Sequence, residues 1–465
     1  MANFQRTLHV CIGAAGEDVG VLRFEAQGNR QFSIFEYSAA WLQNPRRFPI
    51  APSIPLEAAR YFNRADDDRS SPLPMPLADT TPDSWGRSLI RKDARENGGG
   101  GPPLSEIDFL TEVDDFSRMG ALRFRDDPEG GAFLAATPSG RHEIPPLLEL
   151  DDLGRTVADL EGRNPMTAAA LKRLRQLGSP LGGARPKCSV IDTDGSLLVA
   201  KFTSRNDEEN VEAAEVLTLQ LAKLCGLTAA QARLDVSDGL PVALIRRFDR
   251  RGAGRIPYIS AQTMLEAPDA TSGTYTRIAD LMRAQSSDPK RDMLELFRRV
   301  GFTILVSNVD DHLKNHGFLY DGSEKWRLSP MFDVNPAPER HRELKTPISD
   351  VSGNAASIAL LVEHAEFFDL TPGSAMAMLR SMAEIISSNW MPFAGKLKMS
   401  EADIAIFRGA FDHDDMRLAL SLGDRTVSMV DIGPGSAERL DPGAVGAETI
   451  EEGPEAKGGE TKFDL

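Results

Sequence analysis

The nine residues from Ser307 to Asn315 constrain this chain more than any other stretch. They read Ser-Asn-Val-Asp-Asp-His-Leu-Lys-Asn and follow the mostly apolar run Val300–Val306. The apolar segment Phe318–Tyr320 comes next, and Asp333 follows after Ser-Pro-Met-Phe. So many polar residues directly after a buried segment are unusual for a plain loop, although a solvated loop is the simpler alternative. The stretch therefore predicts a chemical site that is supported on both sides by buried segments.

The spacing of these polar residues indicates the chemistry. Asn315 follows Asp310 after four residues, and a second carboxylate, Asp333, comes later beside Phe332. Protein kinases carry Asp, four residues, Asn and a later Asp in a similar order. In them a carboxylate accepts or orients the proton of the attacking hydroxyl, and an amide oxygen and a second carboxylate hold Mg²⁺, which prefers hard oxygen ligands. The alternative for Asp333, taken alone, is a helix-capping or turn aspartate.

A rival interpretation of the same stretch is a metal-dependent hydrolase. His312 and His316 stand at positions i and i+4, and with Asp310 they could ligate a metal ion. Zincins use this spacing, but they need a glutamate directly after the first histidine. Leu313 stands there instead, so the sequence favours phosphoryl transfer over a zinc site.

A lysine inside an apolar strand is the second component of the predicted kinase-like site. Lys201 ends the run Leu-Leu-Val-Ala-Lys, and an ammonium group in such surroundings is costly unless an anion accompanies it. In kinases this lysine reaches the α- and β-phosphates and pairs with a helix glutamate. The next predicted helix offers Glu212 and Glu215, and we expect Glu215 to form the pair. The alternative is a lysine on the solvent face of an edge strand.

A pair of glycines is the third component of the predicted kinase-like site. Gly182 and Gly183 precede Arg185 and Lys187, so backbone N–H groups could approach phosphate oxygens with positive charge nearby. The pattern is not a Walker loop, and an ordinary turn before a strand is the alternative. The joint order of loop, lysine, helix glutamate, Asp-x4-Asn and Asp is what favours a kinase-like site.

Composition limits the remaining possibilities. The 465 residues predict two or more domains, and a net charge of −16 argues against a surface that binds nucleic acid broadly. The three cysteines lie far apart without metal-ligand spacing, which is typical of a reducing cytosol. The N-terminus has no apolar signal core, and no stretch is apolar enough to span a bilayer. These features predict a cytoplasmic location.

Several motifs together resemble the HipA family, the serine/threonine-kinase toxins of bacterial type II toxin–antitoxin systems. The resemblance covers about residues 5 to 420 and includes the N-terminal part of the chain. The motifs, in family order, are Leu77-Ala-Asp-Thr-Thr-Pro-Asp-Ser-Trp-Gly-Arg87, Met119-Gly-Ala-Leu-Arg-Phe124, Gly183-Ala-Arg-Pro-Lys187, Arg247-Phe-Asp-Arg250, Asp310-Asp-His-Leu-Lys-Asn315 and Ser329-Pro-Met-Phe-Asp333.

The resemblance implies a two-lobed, kinase-like α+β fold. Residues 1–150 would form a β-rich N-terminal subdomain, and residues 151–430 would form the kinase core with a mostly helical C-terminal lobe. The composition of residues 431–465, rich in Gly, Pro and Glu, predicts a disordered acidic tail.

The resemblance also implies ATP and Mg²⁺ as cofactors and assigns roles to individual residues. Asp310 would be the catalytic base, with His312 and Lys314 beside it in the catalytic loop, and Asn315 and Asp333 would bind Mg²⁺. Lys201, paired with Glu215, would bind the ATP phosphates. The remaining nucleotide contacts would come from the phosphate loop and the adenine segment, namely Gly182, Gly183, Ala184, Arg185, Pro186, Lys187, Arg246, Arg247, Phe248 and Phe332.

The partners that the resemblance implies are a HipB-like helix-turn-helix antitoxin, DNA reached only through that antitoxin, and a protein substrate such as an aminoacyl-tRNA synthetase. The chain departs from the family at two positions. Pro180 stands where the family toxin phosphorylates its own serine, with Ser179 one residue away, which argues against self-phosphorylation. Arg246 replaces an acidic residue beside adenine. A catalytically weak binding module that acts as a corepressor is the alternative function.

Overall fold

The computed structural model describes residues 4–28, 30–65, 71–97, 103–127, 130–136, 144–162, 164, 167–177, 183–205, 207–338 and 342–423. The predicted tail and the positions Ser179, Pro180 and Gly182 lie outside these ranges. Within the described residues, no helix is long and apolar enough to cross a membrane.

The N-terminal part forms a five-stranded antiparallel sheet, in agreement with the β-rich subdomain that the resemblance implies. Side chains alternate between the two faces of a strand, so one face carries Leu8, Val10, Leu22, Phe24 and Phe35 into the core. The strands in spatial order are β4 (Tyr61–Arg64), β3 (Arg30–Tyr37), β2 (Glu17–Gln27), β1 (Phe4–Ile12) and β5 (Leu122–Arg125). Four helices accompany them, namely α1 (Ala39–Gln43), α2 (Met75–Ala78), α3 (Ser84–Asn97) and α4 (Glu106–Glu112).

A second antiparallel sheet forms the smaller lobe of the remaining chain. Its strands in spatial order are β6 (Lys187–Ile191), β7 (Leu197–Phe202), β9 (Leu240–Arg246) and β8 (Ala232–Ser237). The helix α7 (Val211–Leu224) packs against this sheet, and Asn210 caps its N-terminus by accepting from the Ala213 N–H. Two helices precede the sheet, namely α5 (Leu150–Glu161) and α6 (Ala168–Leu177), with a short 3-10 helix at Leu147–Glu149.

The larger lobe is mostly helical. Its helices are α8 (Ala261–Leu265), α9 (Tyr275–Gln285), α10 (Pro289–Leu305), α11 (Ile358–Glu363), α12 (Pro372–Lys396), α13 (Glu401–Phe411) and α14 (Asp414–Ser421), with 3-10 helices at Leu313–Asn315 and Ala365–Phe368. A hairpin, β10 (Arg250–Arg251) and β11 (Gly254–Arg255), and a small sheet, β12 (Tyr258–Ser260), β13 (Gly317–Gly322) and β14 (Lys325–Leu328), complete it. The buried helix α10 leads directly into the stretch Ser307–Asn315, so the polar stretch begins on a rigid support.

The N-terminal part packs against both lobes. Trp85 and Leu89 on α3 share an apolar core with Leu174 on α6 and Cys188 on β6. On the other side, the buried ring of Phe48 stacks on Tyr320 of β13 with 3.8 Å between ring centroids. These two contacts hold the N-terminal sheet beside the cleft between the lobes.

Candidate active site

Lys201 lies where the two lobes meet. Its ammonium group donates to Glu215 Oε1 at 2.6 Å and to Asp333 Oδ1 at 2.7 Å. Glu215 is carried by α7, which packs on the sheet containing Lys201, so the expected pair forms between neighbouring elements. Glu212, one turn earlier on α7, instead accepts from Thr203 and Arg185.

The charges of this group are strongly coupled. Burial would raise the pKa of Asp333, but Lys201, Lys187 and His312 together lower that pKa to about 2. Burial would also lower the pKa of Lys201, but Asp333 and Glu215 raise it well above its ordinary value. Lys201 is therefore an ammonium ion and Asp333 a carboxylate at neutral pH.

The backbone of Asp333 is held in an uncommon conformation. Its φ is +56°, in the left-handed region that costs a non-glycine residue roughly 1–3 kcal/mol and that occurs mainly where function requires it. Asn335 Nδ2 donates to Asp333 Oδ1 at 3.2 Å, and the Asn335 N–H donates to Asn308 Oδ1 at 3.0 Å. These bonds fix the direction of the carboxylate at the end of the cleft.

The two adjacent aspartates of the polar stretch have opposite environments. Asp311 is buried, and its carboxylate accepts from Tyr275 Oη at 2.5 Å and Thr303 Oγ1 at 3.3 Å, with His316 Nε2 at 3.1 Å. Asp310 is exposed. Asp311 therefore anchors the loop, and Asp310 is the carboxylate that an incoming group can reach.

The same contacts decide against the rival metal site. His316 is buried against Asp311 and is not turned toward Asp310 and His312. Within the part of the chain that the structure describes, no group of three or more His, Cys, Asp or Glu side chains could hold a metal ion. The hydrolase interpretation has no support in this arrangement.

The remaining residues of the loop differ in their surroundings. Asn315 Nδ2 donates to the carbonyl of Asp310 at 3.4 Å, which leaves the amide oxygen as the atom that could bind a cation. The Nδ1 atom of His312 is buried and has no hydrogen-bond partner among the described residues. Lys314 is exposed and lies near Asp79 of the N-terminal part, not in the pocket that contains Lys201.

An apolar pocket of about 410 Å³ opens between the lobes next to Lys201 and Asp333. Its walls include Val199 and Ile245 from the sheet and the rings of Phe248 and Phe332, whose centroids lie 5.3 Å apart. An apolar pocket with a few convergent charged groups at one end is typical of a ligand site. The structure thus brings most of the predicted adenine segment to the pocket that ends at Lys201.

The side chains of two predicted nucleotide contacts, Arg246 and Arg247, pair within the protein. The Arg247 guanidinium is buried, donates to Asp249 Oδ2 at 2.6 Å and donates to the carbonyl of Ser117 at 2.9 Å. Arg246 pairs with Asp194 on an exposed turn. Both residues border the pocket, and their assignment as nucleotide contacts stays a prediction.

The basic residues of the predicted phosphate loop are paired within the protein. Arg185 pairs with Asp207 and with Glu212, at 3.0 Å from the latter, so its charge is already compensated. Lys187 is buried and donates to Asp83 Oδ2 at 2.7 Å. Ala184 is exposed, whereas Pro186 is buried where β6 begins, and Gly183 has a φ of +113° that favours glycine.

The pairing of β6 with β7 explains why Lys187 needs Asp83. Lys187 and Lys201 are direct cross-strand partners, and like charges in that position are destabilising. Separate carboxylates, Asp83 for one and Asp333 with Glu215 for the other, compensate the two ammonium groups. Asp83 also caps α3 by accepting from the Gly86 N–H at 2.7 Å, and that capping is the only role its sequence position predicts.

Asp249 is a further residue that the sequence left unassigned. It is buried and accepts from Arg247, from Arg250 and from the Gly120 N–H of the N-terminal part. The run of charges Arg-Arg-Phe-Asp-Arg-Arg, directly after an apolar strand, was the available signal. Its charges join the lobes to the N-terminal part and do not face the pocket.

Comparisons with known proteins agree with this geometry. The family model described as the HipA N-terminal domain matches residues 10–125, and the model described as the HipA-like C-terminal domain matches residues 179–390. A protein of Sinorhizobium fredii named "Putative kinase Y4mE" is 25% identical over 327 residues, which cover 64% of this chain and 71% of that protein. A second, "Putative kinase Y4dM", is 29% identical over 157 residues, 30% of this chain and 37% of that one.

Among solved structures, HipA of the Shewanella oneidensis MR-1 toxin–antitoxin system, in complex with HipB and its operator DNA, has the same fold. The TM-score is 0.65 at 16% identity, and the match covers 89% of this chain and 96% of that chain. The architecture is therefore the two-lobed, kinase-like α+β fold that the sequence predicts. With both family models matched and this fold observed, the chain belongs to the HipA family.

Proposed function

We propose that this protein is an ATP- and Mg²⁺-dependent serine/threonine protein kinase that acts as the toxin of a type II toxin–antitoxin module. The observation that carries the proposal is the position of Lys201 between Glu215 and Asp333 at the end of an apolar pocket. Kinases use this lysine–glutamate pair and metal-binding aspartate to hold a nucleotide for transfer. The relatives named as kinases support the same activity.

The residues at the site fit Mg²⁺–ATP. The carboxylate of Asp333 and the amide oxygen of Asn315 are hard oxygen donors, and the low pKa of Asp333 keeps it charged at any physiological pH. The rings of Phe248 and Phe332 suit a purine base. ATP supplies the phosphoryl group, and Mg²⁺ offsets the charge that develops during its transfer.

Residues of this chain accept the proton and bind the phosphates. The exposed carboxylate of Asp310 accepts the proton of the acceptor hydroxyl. Lys201 binds phosphate oxygens. To do so, its ammonium group must either bond to Asp333 and a phosphate oxygen at once or replace its bond to Asp333 with one to the phosphate. Asn335 and Asn308 keep Asp333 in place when that contact changes.

Calorimetric titration of ATP, with and without Mg²⁺, tests the nucleotide site. Wild type should bind ATP more tightly with Mg²⁺, and Asp333→Asn should lose that Mg²⁺ dependence while it keeps its fold. Asp194→Asn, on an exposed turn, is the matched control. Absence of ATP binding in the wild type would favour the alternative of a binding module that acts as a corepressor.

The partner and substrate follow from the same proposal. A HipB-like helix-turn-helix antitoxin would bind this chain and carry the DNA contact, since the net charge of −16 disfavours direct DNA binding. The assembly of the Shewanella oneidensis HipA with HipB and operator DNA supports this partner. We propose an aminoacyl-tRNA synthetase as the substrate and the cytoplasm, where ATP is available, as the location. Phosphorylation assays on purified synthetases test the substrate.

A further inference from the structure

A second cleft lies beside the nucleotide pocket, between the N-terminal part and the larger lobe. It consists of an inner cavity of about 790 Å³ and an outer cavity of about 1050 Å³. The two cavities are adjacent, because five residues line both of them: Ala78, Asp79, Thr81, Arg87 and Lys314. None of these five residues lines the nucleotide pocket.

The walls of this cleft are held together by hydrogen bonds. Asp79, at the end of α2, accepts from the Ser260 N–H at 2.7 Å and from Ser260 Oγ at 2.8 Å. It also accepts from Thr263 Oγ1 of α8 at 2.7 Å. The N-terminal wall is thus fixed to the larger lobe, and the cleft is formed in advance of any ligand, which lowers the cost of binding.

The inner end of the cleft reaches the reacting groups. Phe332 borders both the inner cavity and the nucleotide pocket, and it directly precedes Asp333. Lys314 lies four residues after Asp310 and directly before Asn315. A group that enters along this cleft therefore arrives beside Phe332 and the catalytic loop.

The charges along the cleft are mostly compensated within the protein. Arg87 makes two bonds to Glu106, at 2.6 and 2.8 Å, and Asp83 is paired with Lys187. Lys314 is exposed and makes no direct ion pair with any residue that the structure describes, and its charge acts on the buried Asp79, which Ser260 and Thr263 already hold. Glu266 is also exposed, but of the two cavities it lines only the outer one. An exposed cation where the two cavities meet favours an anionic group on whatever enters.

We propose that this cleft binds the acceptor polypeptide as an extended segment, and that Lys314 pairs with an acidic side chain close to the acceptor serine or threonine. The inference rests on the proposed kinase function and names its substrate class. In the transfer, Asp310 takes the hydroxyl proton, a bond forms between the hydroxyl oxygen and the γ-phosphorus, and the bond from that phosphorus to the ADP oxygen breaks. ADP then leaves with the released electron pair.

The test uses the full chain, labelled ATP and a library of serine and threonine peptides whose flanking positions carry Asp, Ala or Lys. Wild type should phosphorylate the acidic peptides at least ten times faster than the basic ones. Lys314→Glu should reverse that preference. Because Lys314 is exposed, this variant should fold normally, which its thermal unfolding would verify.

A variant that fills the cleft with a large side chain provides an independent test. Ala78→Trp should reduce peptide phosphorylation at least tenfold while the Kd for Mg²⁺–ATP changes less than twofold. Ala58→Trp, an exposed alanine of the same N-terminal part that lines neither cavity, should leave both quantities unchanged.

The outcomes separate this inference from the proposed function. If wild type does not bind Mg²⁺–ATP, the kinase proposal itself fails. If it binds Mg²⁺–ATP but phosphorylates no peptide, or if Ala78→Trp and Lys314→Glu leave peptide phosphorylation unchanged, the cleft is not the acceptor site. Label that appears only on the enzyme, in proportion to its concentration, would make a second copy of this chain the occupant and would overturn the proposal.

Discussion

Asp310 and Asp311 are chemically identical neighbours whose tasks differ because their surroundings differ. Three donor groups surround the buried carboxylate of Asp311, so its charge is stabilised by the protein. Although burial would raise the pKa of Asp311, His316 and Tyr275 lower it. Asp310 remains exposed and unrestrained, as a proton acceptor must be.

We expect Asp310→Asn to lower the rate of phosphoryl transfer by roughly 10²–10⁴-fold, because the amide cannot accept the hydroxyl proton. The unfolding free energy should not change, since Asp310 is exposed. Initial rates with a phosphorylated acceptor and urea unfolding provide the two readouts. Full activity in this variant would remove Asp310 from the role of base.

Asp311→Asn should lower the stability of the protein, whereas Asp310→Asn should lower only its activity. It replaces a charged acceptor of buried hydrogen bonds, so we expect a loss of about 3 kcal/mol in the free energy of unfolding. Urea unfolding of the two variants side by side would measure the difference. Equal stability of the Asp310 and Asp311 variants would contradict the distinction between the two residues.

Asp249 is a buried charge that joins the lobes to the N-terminal part through the Gly120 N–H. Its burial is compensated by Arg247 and Arg250, which hold its pKa far below the ordinary value. Asp249→Asn leaves the two guanidinium groups buried with reduced compensation, a change that typically costs about 3–5 kcal/mol. Unfolding in urea, with Asp194→Asn at a surface pair as the control, measures this. A loss no larger than that of the control would show that the pair is dispensable.

At the scale of one element, helix α14 depends on a neutral histidine. His413 Nδ1 accepts from the Met416 N–H at the start of the helix, and its Nε2 lies 3.1 Å from the carbonyl of Leu305. Burial and the charge of Arg342 lower the pKa of His413 to about 4. Protonation would remove the acceptor that caps the helix.

This low pKa predicts a pH dependence of stability. Between pH 6.5 and about 4 the unfolded chain gains a proton at His413, whereas the folded protein does not. The contribution of His413 to the free energy of unfolding is therefore fully present above pH 6.5 and is lost as the pH decreases. At pH 5 the loss of unfolding free energy amounts to about 2 kcal/mol. His413→Asn keeps a capping side chain but cannot titrate. Its unfolding free energy should fall less than that of wild type between pH 7.5 and 5, and parallel profiles would refute this assignment.

Helix α7 shows how an element positions the site. It is capped by Asn210, whose own N–H donates to Asp403 of α13 at 3.1 Å, and it packs against α12 of the larger lobe. Glu212 and Glu215 on its inner side therefore contact Arg185 and Lys201 from a helix that is held at its N-terminus. This support makes the Lys201–Glu215 pair a permanent part of the fold.

At the scale of the whole molecule, the N-terminal part is a structural component of the kinase-like core. Asp83 reaches Lys187, Ser84 Oγ donates to the carbonyl of Gly183 at 2.9 Å, and Asp79 fixes α8. We expect a chain that begins at residue 144 to lose its cooperative unfolding and its ATP affinity, because Leu174, Cys188 and Tyr320 lose their apolar partners. Near-ultraviolet circular dichroism and ATP calorimetry test this. A soluble truncated chain with normal ATP affinity would show that the lobes fold independently.

The sequence predicted the features that depend on neighbouring residues. The helix predicted after Lys201 is α7, because its apolar periodicity and its Asn210 cap act over one or two turns. The Asp194-Gly195 pair between β6 and β7 is a turn sequence that favours a hairpin. Lys201 and Glu215 were paired correctly because only 14 residues separate them and the intervening elements leave little choice. Residue roles in phosphoryl transfer stay predictions until the variants are measured.

Only the tertiary structure decided which charges face the pocket. Lys187 and Asp83 are 104 residues apart, and Asp249 meets Gly120 across 129 residues. Nothing local distinguishes a lysine that binds phosphate from one that pairs with a distant aspartate, and the partners of Arg185 and Arg247 were not predictable for the same reason. The sequence determined the order of the catalytic parts and the elements that carry them. The folding of distant segments onto one another determined which charged side chains remained available to a ligand, because a buried charge is stable only beside an opposite charge. The same folding formed the cleft that we propose as the acceptor site.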